Sequence, residues 1–257
     1  MVNAMKAVLL QFNISWADPA ANRARVDELL SGVSDADLIV LPEMFSTGFA
    51  TEPQGIAEES PSPTLGWMKE RAAALDSAIC GSIALHEDGK YCNRFYFVTP
   101  DGECVSYDKH HLFTYSGEHL RFTKGNQRCV LEWCGVRFLL LVCYDLRFPV
   151  WIRNRGDYDA ILCVASWPKP RRAAWDCLVR ARAIENQCYV AAVNRVGLDP
   201  SCEYSGGTAF INPYGEVIAS LADYEEGVVE AELDMEFLEE FREKFPVLSD
   251  ADQYEIK

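Results

Sequence analysis

Val136-Arg-Phe-Leu-Leu-Leu-Val-Cys-Tyr-Asp-Leu-Arg-Phe-Pro149 runs from an apolar stretch through a cysteine to a proline. The apolar part has the length and composition of a buried strand. Pro149 suits the first turn of a helix, where a missing N–H costs nothing. A buried strand running into a helix is a unit of α/β architecture. Cys143 then stands at the carboxyl end of the strand, which is where open α/β folds place their ligands. Amide groups at such a turn, or a helix N-terminus, stabilise a thiolate. Asp145 and Arg147 follow within four residues, unusual company for a cysteine that merely fills space.

The same alternation extends in both directions. Upstream, strands are expected at Lys6–Phe12, Asp37–Leu41, Ser77–Leu85, Cys92–Thr99 and Glu103–Tyr107. Helices are expected from Asp18 or Asn22 to Leu30 and over Pro63–Leu75. Glu87-Asp-Gly-Lys90 carries the Asp-Gly pair of a tight hairpin. Arg128–Trp133 pairs with Val136–Cys143 around Gly135. Downstream, strands are expected at Ala160–Ser166, Cys188–Asn194, Gly207–Asn212, Glu216–Ser220 and Val228–Leu233, with helices over Ala173–Asn186 and Met235–Phe245. This makes about a dozen strands, more than one twisted open sheet holds without splitting. The reading is therefore α/β, with two sheets packed face to face and helices outside. No linker or low-complexity stretch divides the chain. Residues 1–257 are read as a single domain, with a C-terminal helix and tail from about 235.

Composition narrows the function. There are 24 Lys and Arg against 39 Asp and Glu, a formal net charge of -15. Such a surface repels phosphate backbones and anionic bilayers, so neither nucleic acid nor membrane is expected as a partner. The N-terminus Met1-Val-Asn-Ala-Met-Lys has no basic region followed by a long apolar core, so no secretory leader is expected. The ten cysteines form no C-x-x-C pair and match no zinc template. Cys80, Cys163 and Cys188 lie in apolar runs and read as core filling. A reduced, cytoplasmic protein without a metal fits best.

Two further strand ends carry charge. Asp37-Leu-Ile-Val-Leu-Pro-Glu43 puts a carboxylate just past an apolar strand, and Val105-Ser-Tyr-Asp-Lys-His-His111 puts Lys109 just past another. A carboxylate beside a thiol serves as its general base, and an ammonium holds the oxyanion that forms when a carbonyl is attacked. Read singly, Glu43 is equally a surface turn residue and Lys109 a solvated charge.

Three of these segments, Leu-Pro-Glu43-Met-Phe, Tyr-Asp-Lys109-His-His-Leu-Phe and Val-Cys143-Tyr-Asp-Leu-Arg-Phe-Pro, resemble the signature motifs of the nitrilase-like carbon–nitrogen hydrolases. They stand in that family's order, and the likeness extends from the first strand to Val228–Leu233. The resemblance implies an α-β-β-α sandwich and a cysteine hydrolase of small amides. It makes Glu43 the general base, Cys143 the nucleophile and Lys109 the oxyanion stabiliser. Glu118, in Gly117-Glu-His-Leu-Arg-Phe-Thr-Lys-Gly125, matches a second glutamate that positions the lysine or the substrate or assists proton transfer. The Tyr144 backbone N–H matches the second oxyanion donor. No cofactor is implied. Relatives commonly pair, so a homodimer is expected, with Phe148–Trp151 a candidate contact.

Cys-Tyr-Asp-Leu-Arg-Phe-Pro-Val-Trp151 and Arg180-Ala-Arg-Ala-Ile-Glu-Asn-Gln187 most resemble the omega-amidase branch, which hydrolyses the terminal amide of 2-oxo acids such as 2-oxoglutaramate and 2-oxosuccinamate. An anionic substrate calls for a cation, with Arg195, Arg171 and Arg172 as candidates and Trp167 as a pocket wall. The competing readings are a nitrilase, carbamoyl amidase or aliphatic amidase of the same family, a cysteine–histidine hydrolase using His110, His111 or His119, and a non-catalytic binding protein. The first group is separated by its products. The second lacks a Cys-Gly-x-Cys-Trp signature. The third does not account for the three reactive residues.

Overall fold

The computed structural model describes residues 4–255. Met1–Asn3 and Ile256–Lys257, the ends of the expected 1–257 unit, lie outside it. In chain order the strands and helices are β1 (Ala4–Gln11), α1 (Pro19–Leu30), β2 (Leu38–Val40), β3 (Glu58–Glu59), α2 (Pro63–Leu75), β4 (Ala78–Glu87), β5 (Lys90–Val98) and β6 (Cys104–Asp108). There follow β7 (Val130–Trp133), β8 (Val136–Val142), α3 (Pro149–Ile152), β9 (Ala160–Val164), α4 (Arg172–Asn186) and β10 (Tyr189–Val193). The last are β11 (Val196–Leu198), β12 (Glu203–Ser205), β13 (Ala209–Ile211), β14 (Val217–Ser220), β15 (Gly227–Asp234) and α5 (Met235–Lys244).

β1 shows why the layers form. Alternate side chains of a strand point to opposite faces. Met5, Ala7 and Leu9 enter a core shared with Phe138, Leu140 and Leu162 of the other sheet. Val8 and Leu10 enter a second core with Val26 and Leu30 of α1 and Met68 and Ala72 of α2. One face of the strand therefore meets a sheet and the other meets helices. On the far side, Trp175, Val179 and Ala183 of α4 cover the second sheet. The result is the expected α-β-β-α sandwich.

The first sheet has the order β15-β1-β2-β4-β5-β6, with β3 beside β4, and the second has the order β14-β13-β10-β9-β8-β7. Each has three parallel strands at its centre, β1-β2-β4 and β8-β9-β10, flanked by antiparallel ones apart from the two-residue β3, which runs parallel to β4. The Asp-Gly hairpin forms as read: Asp88 and Gly89 both have positive φ, 49° and 73°, and Glu87 pairs with Lys90. α1 is capped by Asp18, whose Oδ1 accepts Ala21 N–H at 3.0 Å, and α2 by Ser62, whose Oγ accepts Leu65 N–H at 3.0 Å.

Three differences from the sequence reading bear on the site. The strand read as Ala160–Ser166 ends at Val164, because Ser166 turns away to bond Glu43. A five-residue 3-10 turn, Cys143–Arg147, intervenes before Pro149. A small separate ribbon, β11-β12, follows Arg195. The Phe148 and Trp151 rings stack on His111 and His110 at 3.7 Å, while Val150 between them is exposed. No helix among the described residues is long and apolar enough to cross a membrane.

Candidate active site

β2 and β4 are parallel, and two antiparallel steps bring β6 into the same direction. Their carboxyl ends, which lead into Glu43 and Lys109, therefore open on one side of the sandwich. β8 of the facing sheet delivers Cys143 to the same place.

Lys109 and both glutamates have no exposed side-chain surface. Lys109 Nζ donates to Glu43 Oε1 at 2.9 Å and to Oε1 and Oε2 of Glu118 at 3.1 and 3.0 Å. Glu43 Oε2 accepts Ser166 N–H at 2.8 Å, and Glu118 Oε2 accepts Phe113 N–H at 2.5 Å. Burial alone would push the Lys109 ammonium down, but Glu118 and Glu43 outweigh it and hold the ammonium above the ordinary lysine range. Burial pushes Glu118 up, against the pull of Lys109. The two carboxylates thus favour the charged amine and set its orientation from two distant parts of the chain.

Cys143 lies at the pocket floor beside Lys109. Its φ is +48°, a left-handed conformation that costs an L-residue about 1–2 kcal/mol. Asp145 holds the turn in that shape. Its Oδ2 accepts Val142 N–H at 3.0 Å and the Tyr107 hydroxyl at 2.8 Å. Its Oδ1 accepts His111 N–H at 2.9 Å and lies 2.8 Å from His111 Nδ1. One buried carboxylate therefore ties the cysteine turn to the lysine segment. Tyr144 follows in the first turn of the 3-10 helix, whose leading N–H groups have no acceptor within the helix. Burial, then the charge of Glu43, pushes the Cys143 thiol well above its usual range; Lys109 opposes them without prevailing. The surroundings thus favour the protonated thiol over the thiolate, against the stabilisation that a strand-end turn offers. The Glu43 carboxylate is close enough to the thiol to raise its hold on that proton.

The cavity above the thiol has a volume of about 350 Å³, with Phe49, Phe113, Tyr144 and Trp167 among its walls. Two guanidinium groups also line it. Arg147 stacks on Trp167 at 4.7 Å and Arg171 on Phe113 at 5.1 Å. Neither has a carboxylate partner among the described residues. The site is thus a small aromatic box with a thiol, a carboxylate pair and an amine at its floor and two guanidinium groups without carboxylate partners on its wall.

The structure gathers Glu43, Lys109, Glu118, Cys143, Tyr144 and Trp167 in one place and brings Arg171 to the cavity wall. Arg195 does not join them. It is fully buried behind Tyr204, 4.5 Å from that ring, and its Nη2 donates to the carbonyls of Ile14 at 3.0 Å and Leu198 at 3.3 Å. Arg172 points to another face and pairs with Asp176 and Asp223, both at 2.7 Å. His110 stacks on Trp151 and bonds the Gly125 carbonyl, His111 stacks on Phe148 and bonds Asp145, and His119 is exposed. No histidine lines the cavity, so a cysteine–histidine pair is not built here. Sequence reasoning passed over Asn93, which lies in the middle of β5 and donates to both glutamates. The available signal was an asparagine inside a strand, a position that residue avoids.

With this fold and this site the chain belongs to the carbon-nitrogen hydrolase family, whose description matches residues 6–243. It is a hydrolase of carbon–nitrogen bonds. Among its relatives is the omega-amidase YafV of Escherichia coli K12, 47% identical over 253 residues that cover 98% of each chain. The 2-oxoglutaramate amidase of Bacillus subtilis is 37% identical over 94% of this chain and 95% of its own. A CN-hydrolase superfamily protein of Xanthomonas campestris, solved with an arsenic adduct in its active site, superposes with a TM-score of 0.96 at 42% identity over 99% of each chain.

Proposed function

We propose that this protein is an omega-amidase that hydrolyses the terminal amide of a small 2-oxo acid amide, 2-oxoglutaramate or 2-oxosuccinamate, to the dicarboxylate and ammonia. The reaction class rests on the buried Glu43–Lys109–Glu118 cluster around Cys143. The observation that carries the substrate is the pair of uncommitted guanidinium groups, Arg147 and Arg171, on the wall of a small aromatic cavity. A cavity with such charges suits an amide that bears a carboxylate at its other end. The names of the Escherichia coli and Bacillus subtilis relatives agree with this.

In the first half-reaction Glu43 takes the thiol proton while Cys143 Sγ attacks the amide carbon. Lys109 Nζ and the Tyr144 N–H hold the oxyanion. The tetrahedral intermediate collapses, the carbon–nitrogen bond breaks, and Glu43 returns the proton to the departing ammonia. A thioester remains on Cys143. In the second half Glu43 takes a proton from water, the hydroxide adds to the thioester carbon, and the carboxylic acid leaves as Cys143 recovers its proton. No external oxidant, reductant or metal enters these steps. Glu118 keeps Lys109 aimed, Trp167 and Phe113 shape the cavity, and Arg171 and Arg147 receive the far carboxylate.

We also take the chain as one domain, working as a homodimer in a reducing cytoplasm. Ten free thiols, four of them exposed to no more than a trace, suit such a compartment. Light scattering on the purified protein gives the assembly state directly. The substrate assignment is tested by ammonia release from 2-oxoglutaramate, 2-oxosuccinamate and simple aliphatic amides compared at equal concentration. The 2-oxo acid amides should be turned over at least tenfold faster. Equal rates would remove the assignment, and a nitrile substrate or released carbon dioxide would move the protein to another branch of the family.

A further inference from the structure

Asn93 is fully buried in β5, and its position is unusual. Its backbone carbonyl accepts the N–H of Lys109 at 3.0 Å. Its side-chain Nδ2 donates to Glu43 Oε1 at 2.8 Å and, less closely, to Glu118 Oε1 at 3.3 Å. An amide nitrogen carries two hydrogens, so both are committed, one to each carboxylate. Its Oδ1 is buried and accepts no hydrogen bond from the described residues. A side chain that leaves a buried oxygen unpaired gives up about 1–3 kcal/mol. That loss is explained if the amide's task lies with the two carboxylates and not with its own saturation.

The charges show what the task is. Two buried carboxylates share one ammonium, so the cluster of Glu43, Glu118 and Lys109, facing the Cys143 thiol, has one negative charge too many for a buried site when both are ionised. The neutral donor between them spreads that charge and sets apart two otherwise similar groups. Resting on the proposed reaction, we propose that Asn93 is a positioning residue that keeps Glu43 ionised and turned toward the thiol, so that any proton the carboxylate pair retains resides on Glu118. The short bond favours the charged form at Glu43, and the long bond favours it less at Glu118. Glu118 is also the group that burial pushes up. Asn93 touches neither substrate nor thiol and acts only through Glu43.

The test compares Asn93→Ala and Asn93→Asp with the wild type in two assays across pH. One is kcat/KM for amide hydrolysis. The other is alkylation of Cys143 by iodoacetamide, followed by mass spectrometry of the Cys143 peptide. Alkylation needs no amide substrate, so it reads Asn93 even if the substrate assignment fails. Removing the donor raises the proton affinity of the carboxylate pair. In Asn93→Ala the acid limb of both profiles should therefore move up by half a pH unit or more, with kcat falling at least tenfold and KM little changed. Asn93→Asp keeps the shape but adds a third carboxylate, and its limb should move further in the same direction. Folded variants whose limbs coincide with the wild type overturn the proposal. Loss of fold in both variants overturns it too, because Asn93 would then serve the fold and not the charge.

Discussion

Lys109 can be read as an oxyanion holder only because two carboxylates keep its buried amine charged. Its removal therefore has two separable effects. Lys109→Met should cost roughly 10²–10³ in rate, as loss of one oxyanion donor does. It should also destabilise the fold by about 3–5 kcal/mol, because Glu43 and Glu118 are left facing each other without a cation. Kinetics and urea unfolding on the same preparation measure both. Cys143→Ala should show the first effect alone, with turnover abolished and unfolding close to wild type. Arg171→Ala tests the anionic end of the substrate. Loss of a charged hydrogen bond worth about 1.5–3 kcal/mol should raise KM for 2-oxoglutaramate at least tenfold and leave hydrolysis of a neutral aliphatic amide nearly unchanged.

Among the elements, the 3-10 turn Cys143–Arg147 has the largest consequence for its size. Asp145 fastens it to the segment after β6, so the distance between thiol and ammonium is held by one carboxylate. Asp145→Ala leaves Val142 N–H and the Tyr107 hydroxyl buried without an acceptor, and should cost about 2 kcal/mol or more. The same variant should lose activity while Glu43 and Lys109 remain paired, which denaturant unfolding and kcat together would reveal. The turn was only half legible in the sequence. Cys143 at a strand end, Glu43 after Pro42 and Lys109 after β6 could be read because apolar runs and breakers mark strand ends clearly. Arg195 stands at a strand end as well, yet the ribbon β11-β12 folds over it and commits its guanidinium to backbone carbonyls. No local pattern announces which way a side chain turns after its strand stops. Arg147 was noticed only as a neighbour of the cysteine, because its stacking on Trp167 joins residues that are distant in sequence.

At the scale of the molecule, the sheets meet through rings such as Phe97 and Phe138, 6.5 Å apart across the interface. Phe138→Ala should cost about 3–5 kcal/mol and loosen the site as well, since β8 carries Cys143. α5 is held to the second sheet by charge. Arg242 and Arg137 each reach Asp159 Oδ1 at 2.7 Å. Burial would raise the Asp159 carboxyl, but the bonds from Arg137 and Arg242 outweigh it and hold the group below the usual carboxylate range. Its stabilisation is therefore complete above the unfolded carboxylate pKa of about 3.9 and is lost as pH falls through the lower folded value. Asp159→Asn should cost about 2 kcal/mol at neutral pH, and the gap to wild type should close in acid, as thermal melts across pH would record. The left-handed backbone of Cys143 has a consequence of another kind. The rest of the fold holds that residue in a shape it would leave if it were free to do so. Glycine adopts the shape without the steric cost that a Cβ brings. Cys143→Gly should therefore melt above Cys143→Ala in thermal scans, the more robust of two equally inert proteins.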